Sequence, residues 1–269
     1  MAPTGDWIDT TANPLLKTRV FSTWENPNIF AGYLCMLSAY LMAFISVQKD
    51  KRWRWGLAVY LLCAGLCLVY TYSRGFWAAL GLELVCFTIL FYRRGWGYLA
   101  ALLAGAVATA GPAVQQRLQT LTSVHDTSAE LHLAYLEIVR RIIRDNPLGI
   151  GWYNYQFVFP DYDYIFKDPT VPMYHCHNFL LNITAEIGIQ GLLVFLFCWS
   201  AVLYQAWLLH KQATRGWECA VGRGYILMSL GILVGGLADH VLFNVRLGIL
   251  FWLMTILVVI VRKYASLER

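Results

Sequence analysis

Two histidines flank a cysteine in Tyr174-His175-Cys176-His177-Asn178, at the mouth of an apolar run from Phe179 to Trp207 that also carries Glu186. A neutral imidazole can take a proton from an attacking hydroxyl, and ionisable groups at the edge of such a run are costly and functional by default. His177 fits two plainer roles as well, capping the helix that follows or anchoring it at an interface, and spacing alone does not separate the three. A metal centre needs three or four ligands. His175-x-His177 offers two on an extended segment, with Cys176 and the aspartates Asp161 and Asp163 as possible additions, and there is no HExxH-like pair on a helix. We therefore expect no metal and no cofactor. A nucleophile elbow and a Walker-type phosphate loop are missing too. What remains for chemistry is the histidines and a set of arginines, Arg19, Arg74, Arg140, Arg141, Arg144 and Arg246.

The elements that must position them are membrane spans. The chain is 58% hydrophobic, 15% aromatic and 14% charged, with a mean hydropathy of +0.51. Soluble domains carry about 25% charged residues and break their apolar runs every few positions. Several runs here approach the ~20 residues that cross a bilayer. The reading is an all-α, polytopic integral membrane protein with about seven transmembrane helices. They run from Ile29 to Val47, Trp55 to Tyr72, Phe76 to Tyr92, Trp96 to Ala110, Phe179 to Leu209, Gly224 to Phe243 and Leu247 to Val261.

The expected organisation is an N-terminal segment (1–27), four spans (28–110), a long loop (111–176), three spans (177–262) and a tail (263–269). The basic residues behind the net charge of +5 sit in short loops between spans, which argues against nucleic acid as a partner. Most of the seven cysteines lie inside spans (Cys35, Cys63, Cys67, Cys86, Cys198) and read as small apolar residues.

Orientation follows from the clustered Lys and Arg in alternate loops and in the tail, which place those loops in the cytoplasm. The N-terminal segment, the Ser73-Arg74-Gly75 turn, the long loop and the Asn244-Val245-Arg246 turn then face outward. Arg19, Arg74, His175, His177, Asp239, His240 and Arg246 converge on that face. Arginine is disfavoured there unless it has a use, so Arg74 is the most informative single charge, against the plainer reading of snorkelling to headgroups.

The long loop is structured. Thr127-Ser128-Ala129-Glu130 is a capping box. Leu131, Tyr135, Ile138, Val139 and Ile142 follow at helical spacing, and Glu137, Arg140, Arg141 and Arg144 share the other face. Such a basic amphipathic helix lies on a membrane surface, holding an anionic lipid headgroup or packing as a lid. Asn146-Pro147 ends it. The stretch from Trp152 to Tyr164 interleaves aromatics with Asp161 and Asp163, which suits sugar rings and equally suits an interfacial belt.

ATP is not available on the outer face, so group transfer there must use a donor activated beforehand. A lipid-linked diphosphate sugar fits: arginines neutralise the diphosphate, which is also the leaving group, and a histidine takes the proton of the attacking hydroxyl.

The residues resemble a known family. Arg19-Val20-Phe21-Ser22-Thr23-Trp24-Glu25-Asn26-Pro27-Asn28 before an apolar span resembles the opening motif of the O-antigen ligase and polymerase superfamily. Thr71-Tyr72-Ser73-Arg74-Gly75 is similar to its Ser-Arg-Gly turn, and Asn146-Pro147-Leu148-Gly149-Ile150-Gly151 to its loop signature. His177-Asn178, then nine residues, then Gly188-Ile189-Gln190-Gly191 is similar to the ligase pattern of His-Asn with two downstream glycines. The resemblance covers nearly the whole chain and implies a GT-C-like helical fold with an extracytoplasmic loop over the site. It implies glycan transfer, without metal, from undecaprenyl diphosphate to an acceptor hydroxyl on a glycan, lipid or protein, at the outer face of a bacterial cytoplasmic membrane.

Carried over by position, His177 would be the base and Arg74, with Arg19, would hold the diphosphate. Arg140, Arg141, Arg144, His175, Asn178, Glu186 and Arg246 would assist in binding. Family members usually have about a dozen spans. This chain starts in what resembles an outer loop, so a missing N-terminal half or partner chain is also implied, as is membrane lipid. Where His132 stands, members often carry an arginine. Two other readings compete: a small-anion transporter of the bicarbonate type, which would want charges deep in the spans beyond Glu83, Glu186 and Asp239, and a non-catalytic subunit.

Overall fold

The protein is described here from a computed structural model covering residues 18–93, 96–109, 111, 112, 114, 127–164 and 173–267. Among the described residues all regular structure is helical. Helices α1 (Pro27–Val47), α2 (Lys51–Val69) and α3 (Arg74–Cys86, continuing through a π-helical turn, Phe87–Phe91) are each long and apolar enough to cross a membrane. A shorter α4 (Trp96–Thr109) follows, 14 residues or about 21 Å long. Helices α5 (Thr127–Asp145) and α6 (Tyr155–Tyr162) form the long loop. Three more membrane-length helices end the chain: α7 (Phe179–Gln212), α8 (Gly216–Gly236) and α9 (Val245–Leu267). The expected polytopic all-α class is what the structure shows.

Local chemistry explains the helix starts. Asn26 caps α1, its Oδ1 accepting from the Asn28 and Ile29 backbone N–H groups at 2.7 and 3.3 Å, with Pro27 at the first helical position. Asn178 caps α7 in the same way through Leu181 N. The Ser73-Arg74-Gly75 segment is the start of α3, with Ser73 as its extended cap residue and Arg74 as its first helical residue. A Cβ on Gly75 would stand 2.5 Å from the Cβ of Ala238, so this glycine lets the start of α3 meet the end of α8.

Helix α8 is the hub, packing against α1, α3 and α7. Its glycines admit neighbouring side chains: Gly224 receives the ring of Tyr40, Gly235 that of Phe76 and Gly236 that of Phe179. Small residues at the contact allow backbones to approach where lipid supplies no hydrophobic drive between helices. Cys35, read from the sequence as merely apolar, donates through Sγ to the buried Glu83 carboxylate at 3.1 Å.

The 34-residue α7 would be about 51 Å long if continuous, well beyond the ~30 Å of a hydrocarbon core. It is broken at Gly188, which has φ 77° and ψ 174°. The loop signature fills the break. Ile150 N donates to Ala185 O and Gly151 N to Glu186 O, both at 2.9 Å, while Ile189 N donates to Pro147 O at 3.1 Å. The Gln190 side chain adds a bond to Leu148 O at 2.8 Å. Gly149 and Gly151 adopt φ of +93° and +101°. A Cβ on Gly149 would stand 2.6 Å from Gly188 N, and one on Gly188 would stand 2.6 Å from the Leu148 carbonyl carbon. The two glycine motifs noticed separately in the sequence are each other's structural complement.

Above the bundle, Ile138, Val139 and Ile142 of α5 bury against Tyr155 and Phe159 of α6, Cys176 ahead of α7 and Ala185 of α7, making a second, smaller core. The helical spacing read from the sequence is thus the packing face of α5. The side chains of the expected capping box, Thr127 to Glu130, lie outside the described residues.

Gly149→Ala should lower the unfolding free energy by about 2 kcal/mol or more, from a strained φ plus the clash with the α7 break. Gly81→Ala, whose new Cβ meets nothing within 4 Å, should shift it by no more than about 1 kcal/mol. Chemical unfolding of the two variants in detergent checks the contrast.

Candidate functional site

The ends of α1, α7 and α8 meet beneath α5. Asp239, just past α8, has a side chain only 11% exposed. A carboxylate so placed must be paired and hydrogen-bonded. Its Oδ1 lies 3.1 Å from His177 Nδ1 and accepts from the His240 backbone N–H at 2.8 Å, and its Oδ2 accepts from Asn28 Nδ2 at 2.7 Å. Asn28 is itself held by Arg19, which donates from Nη2 to Asn28 Oδ1 at 2.8 Å and from Nε to Thr71 O at 2.7 Å. A polar chain thus runs from the N-terminal segment through α1 to the imidazole that precedes α7.

His177 sits at φ 54°, a left-handed conformation uncommon outside glycine, and is followed directly by the cap residue of α7. Its Nδ1–H donates to Asp239, so the neutral ring carries its lone pair on Nε2. The side chain is 32% exposed, the most open member of the pair. Tyr135 and His132 of α5 stand over it, with ring centroids 5.2 and 6.1 Å away. His175 packs on the other side, its ring 4.7 Å from that of His177 and its Nδ1 3.8 Å from Asp239 Oδ1.

The four histidines of this cluster have different proton affinities. Burial opposes a charge on His177, but the hydrogen bond and negative charge of Asp239 outweigh it and raise the ring above the ordinary imidazole value. Burial also opposes ionisation of Asp239. The hydrogen bond and charge of His177, the charge of His175 and the Asn28 amide overcome it and hold the carboxyl well below the usual range. Burial drives His175 down to about 4 and, with the charge of His175, His240 down to about 3. His132 is lowered by burial first, then by His177, with a smaller contribution from Arg74. Within the cluster, His177 is the ring poised to accept a proton.

The sequence-selected residues divide into groups. His175, His177 and Asn178 lie in the cluster, Asn178 also donating to Leu237 O at 3.3 Å. Arg74 opens α3 within electrostatic reach of His132. Arg19 builds the support for Asp239. Arg246 ties the start of α9 to the N-terminal segment through Thr23 O at 2.8 Å and Glu25 at 3.5 Å. Glu186 is buried on α7 where the loop docks, and its backbone carbonyl accepts the Gly151 N–H at 2.9 Å.

The α5 arginines sit apart from the cluster. Arg140 is exposed; Arg141 pairs with Glu137 at 2.9 Å and lies over the Tyr164 ring; Arg144 pairs with Asp145 at 3.2 Å. This is the face of α5 opposite His132 and Tyr135. An apolar groove between α2 and α4, lined by Leu61, Leu62, Tyr98 and Leu102, also lies elsewhere and is a lipid-facing seam without polar chemistry.

Sequence reasoning placed Asp239 and His240 on this face but assigned them no role, and it missed Asn28, His132 and Tyr135. The visible signal was an Asp-His pair at the end of an apolar run. Nothing in the spacing joins it to a histidine 62 residues earlier.

A bundle of membrane-length helices with a polar, partly open carboxylate–histidine pair at one edge defines a multi-pass membrane protein with a site at the rim. Residues 58–196 match the O-antigen ligase family model, more than half of the chain, and the protein belongs to that family. Its class of activity is glycan transfer at a membrane. The match includes Arg74, the loop, His177 and Gly188, while Asn28 and Asp239 lie outside it. No curated protein matched the chain.

Asp239→Asn should move the His177 titration to lower pH, because the hydrogen-bonded negative charge that raises it is gone; histidine NMR of the labelled protein measures this. The pair also fixes a stability window. A raised His177 stabilises the fold below the free imidazole value and loses that contribution as pH rises through its folded value. A lowered Asp239 stabilises above the free carboxylate value and loses that contribution as pH falls through its folded value. The wild type should therefore exceed Asp239→Asn in thermal stability most clearly between those limits.

Proposed function

We propose that the protein transfers a glycan from undecaprenyl diphosphate to an acceptor hydroxyl at the outer face of a bacterial cytoplasmic membrane, with His177 as general base. The observation that carries this reading is the Asp239–His177 pair, in which the buried carboxylate holds Nδ1–H and leaves the lone pair on Nε2 of a partly exposed ring.

In the step envisaged, the acceptor oxygen attacks the anomeric carbon of the lipid-linked sugar. The new glycosidic bond forms as the bond from that carbon to the diphosphate oxygen breaks. The hydroxyl proton passes to His177 Nε2, and Asp239 stabilises the resulting imidazolium. Undecaprenyl diphosphate leaves as the anion and needs positive potential. Arg74 supplies a charge at the start of α3. The N-termini of α1, α3, α7 and α9 all begin on this side of the bundle and add their dipoles. Arg19 and Asn28 act as positioning residues behind Asp239.

The outward direction of this face is supported by the Lys and Arg clustered on the opposite loops, as at Lys49, Lys51, Arg52 and Arg54. The chemistry needs no metal.

With a polyprenyl-diphosphate glycan and its acceptor, His177→Ala should lower the transfer rate by about 10²–10⁴-fold. The wild-type rate should rise with pH through the raised value of His177 and be unaffected by a chelator. Arg74→Ala should lose the polyprenyl-diphosphate glycan seen by native mass spectrometry on the folded wild type. An unchanged rate in His177→Ala would overturn the assignment of the base, and retained glycan in Arg74→Ala the assignment of the diphosphate site.

A further inference from the structure

We propose that His175, His177 and Asp239 form a binding site for a zinc-class divalent ion, and that filling it switches off His177 as a base. The ion site rests on geometry alone, and the inhibition rests on the glycan-transfer reading above.

The three residues each offer a ligand atom within 4.8 Å of the others, and among the described residues they form the group able to hold a metal. Two ligand atoms on a tetrahedral zinc with bonds of roughly 2.0–2.1 Å stand about 3.3 Å apart. His177 Nδ1 and Asp239 Oδ1 are 3.1 Å apart, and His175 Nδ1 and Asp239 Oδ1 are 3.8 Å apart. Closure therefore needs only small side-chain movements, and both histidines lie in the non-helical segment ahead of α7.

His175 Nδ1 already acts as an acceptor, taking the His177 backbone N–H at a long 3.3 Å, a bond that a metal would replace. Two lone-pair atoms, His175 Nδ1 and Asp239 Oδ1, thus face one another without a proton between them. A cation fills that gap.

The surroundings resemble the support of a metal centre. Asp239 is oriented by Asn28 Nδ2 and the His240 backbone N–H, leaving the carboxylate fixed before any ion arrives. Such outer bonds fix the direction of a ligand and raise its affinity. Two imidazoles and one carboxylate suit zinc, cobalt, nickel or copper and not magnesium or calcium, which prefer all-oxygen sets. Three protein ligands leave a further position for water.

Occupancy has a defined chemical consequence. The unoccupied neutral His177 carries its proton on Nδ1, shared with Asp239, and its lone pair on Nε2. A metal on Nδ1 moves the ring proton to Nε2. The atom that would accept the acceptor's proton then already holds one, and Asp239 is engaged by the ion. No bond to substrate is made or broken, and only the ring tautomer and the ion's water shell change.

The test uses the purified full chain in detergent, titrated with Co²⁺ and followed by its ligand-field absorption. One ion should bind per chain with the bands of a low-coordinate nitrogen and oxygen site, and Zn²⁺ should displace it. His175→Ala and Asp239→Asn should each weaken binding by about 10-fold or more, while His210→Gln, on the opposite side of the bundle, should not. A measurement on the wild type alone guards against misfolded variants: Zn²⁺ should protect His175 and His177, and not His210, from carbethoxylation read by peptide mass spectrometry. Absent bands, or binding that survives both substitutions, or no protection, would overturn the site. Transfer assayed with and without Zn²⁺ then separates the two readings. Activity in chelator that Zn²⁺ leaves unchanged would overturn the inhibition alone, and inactivity in chelator with normal cobalt binding would overturn the transfer reading alone.

Discussion

Burying the carboxylate of Asp239 is the constraint from which the site follows. An ionised group with so little solvent contact is tolerable only if charge and hydrogen bonds replace its water, and removing one partner leaves an uncompensated charge. The partners come from separate parts of the chain: Asn28 from the first turn of α1, His177 from the approach to α7, and the backbone of His240 beside it. Asn28 and His177 cannot be in place until α1, α7 and α8 have closed on one another. The pair that orients the imidazole is therefore also a lock on the bundle. Arg19 extends the lock to the turn between α2 and α3 through Thr71.

The same accounting of polar groups explains the loop. A helix cannot simply unwind near lipid, because each freed N–H and C=O must find a partner. At Gly188 the partners come from Pro147, Leu148, Ile150 and Gly151, in a strand-like exchange that needs glycine on both sides. The break does two things. It shortens the membrane part of α7, and it fixes α5 and α6 over the site, so that His132 and Tyr135 cover His177 instead of facing solvent. Glu186 belongs to the same junction through its backbone carbonyl, which accepts the Gly151 N–H. The loop glycines thus serve as framework.

Electrostatics divide labour among neighbouring residues of one type. Four histidines share this cluster, yet only His177 is raised. Burial pushes all four toward neutrality, and what distinguishes His177 is the short bond to Asp239. His175, 3.8 Å from the same oxygen, lacks a proton-bridged contact and stays low. A difference of under an ångström in partner distance separates a ring of raised proton affinity from one of lowered affinity.

Much was legible in the residues themselves. Composition and the long apolar runs determined an all-helical membrane protein, because a bilayer leaves few other ways to satisfy a backbone. Asn26-Pro27, the apolar face of α5 and the stop at Asn146-Pro147 were readable because caps and periodicity are local physics. His177 and Arg74 stood out because charge at the end of an apolar run is expensive. Tertiary structure alone decided that Asp239 is the partner of His177, that Arg19 and Asn28 stand behind it, and that the α5 arginines face away. It also decided that Gly149 and Gly188 serve each other. The pairings of Gly149 with Gly188, His177 with Asp239 and Asn28 with Asp239 span 39, 62 and 211 residues of chain, set by how helices meet in space and by which buried charge each meeting must neutralise.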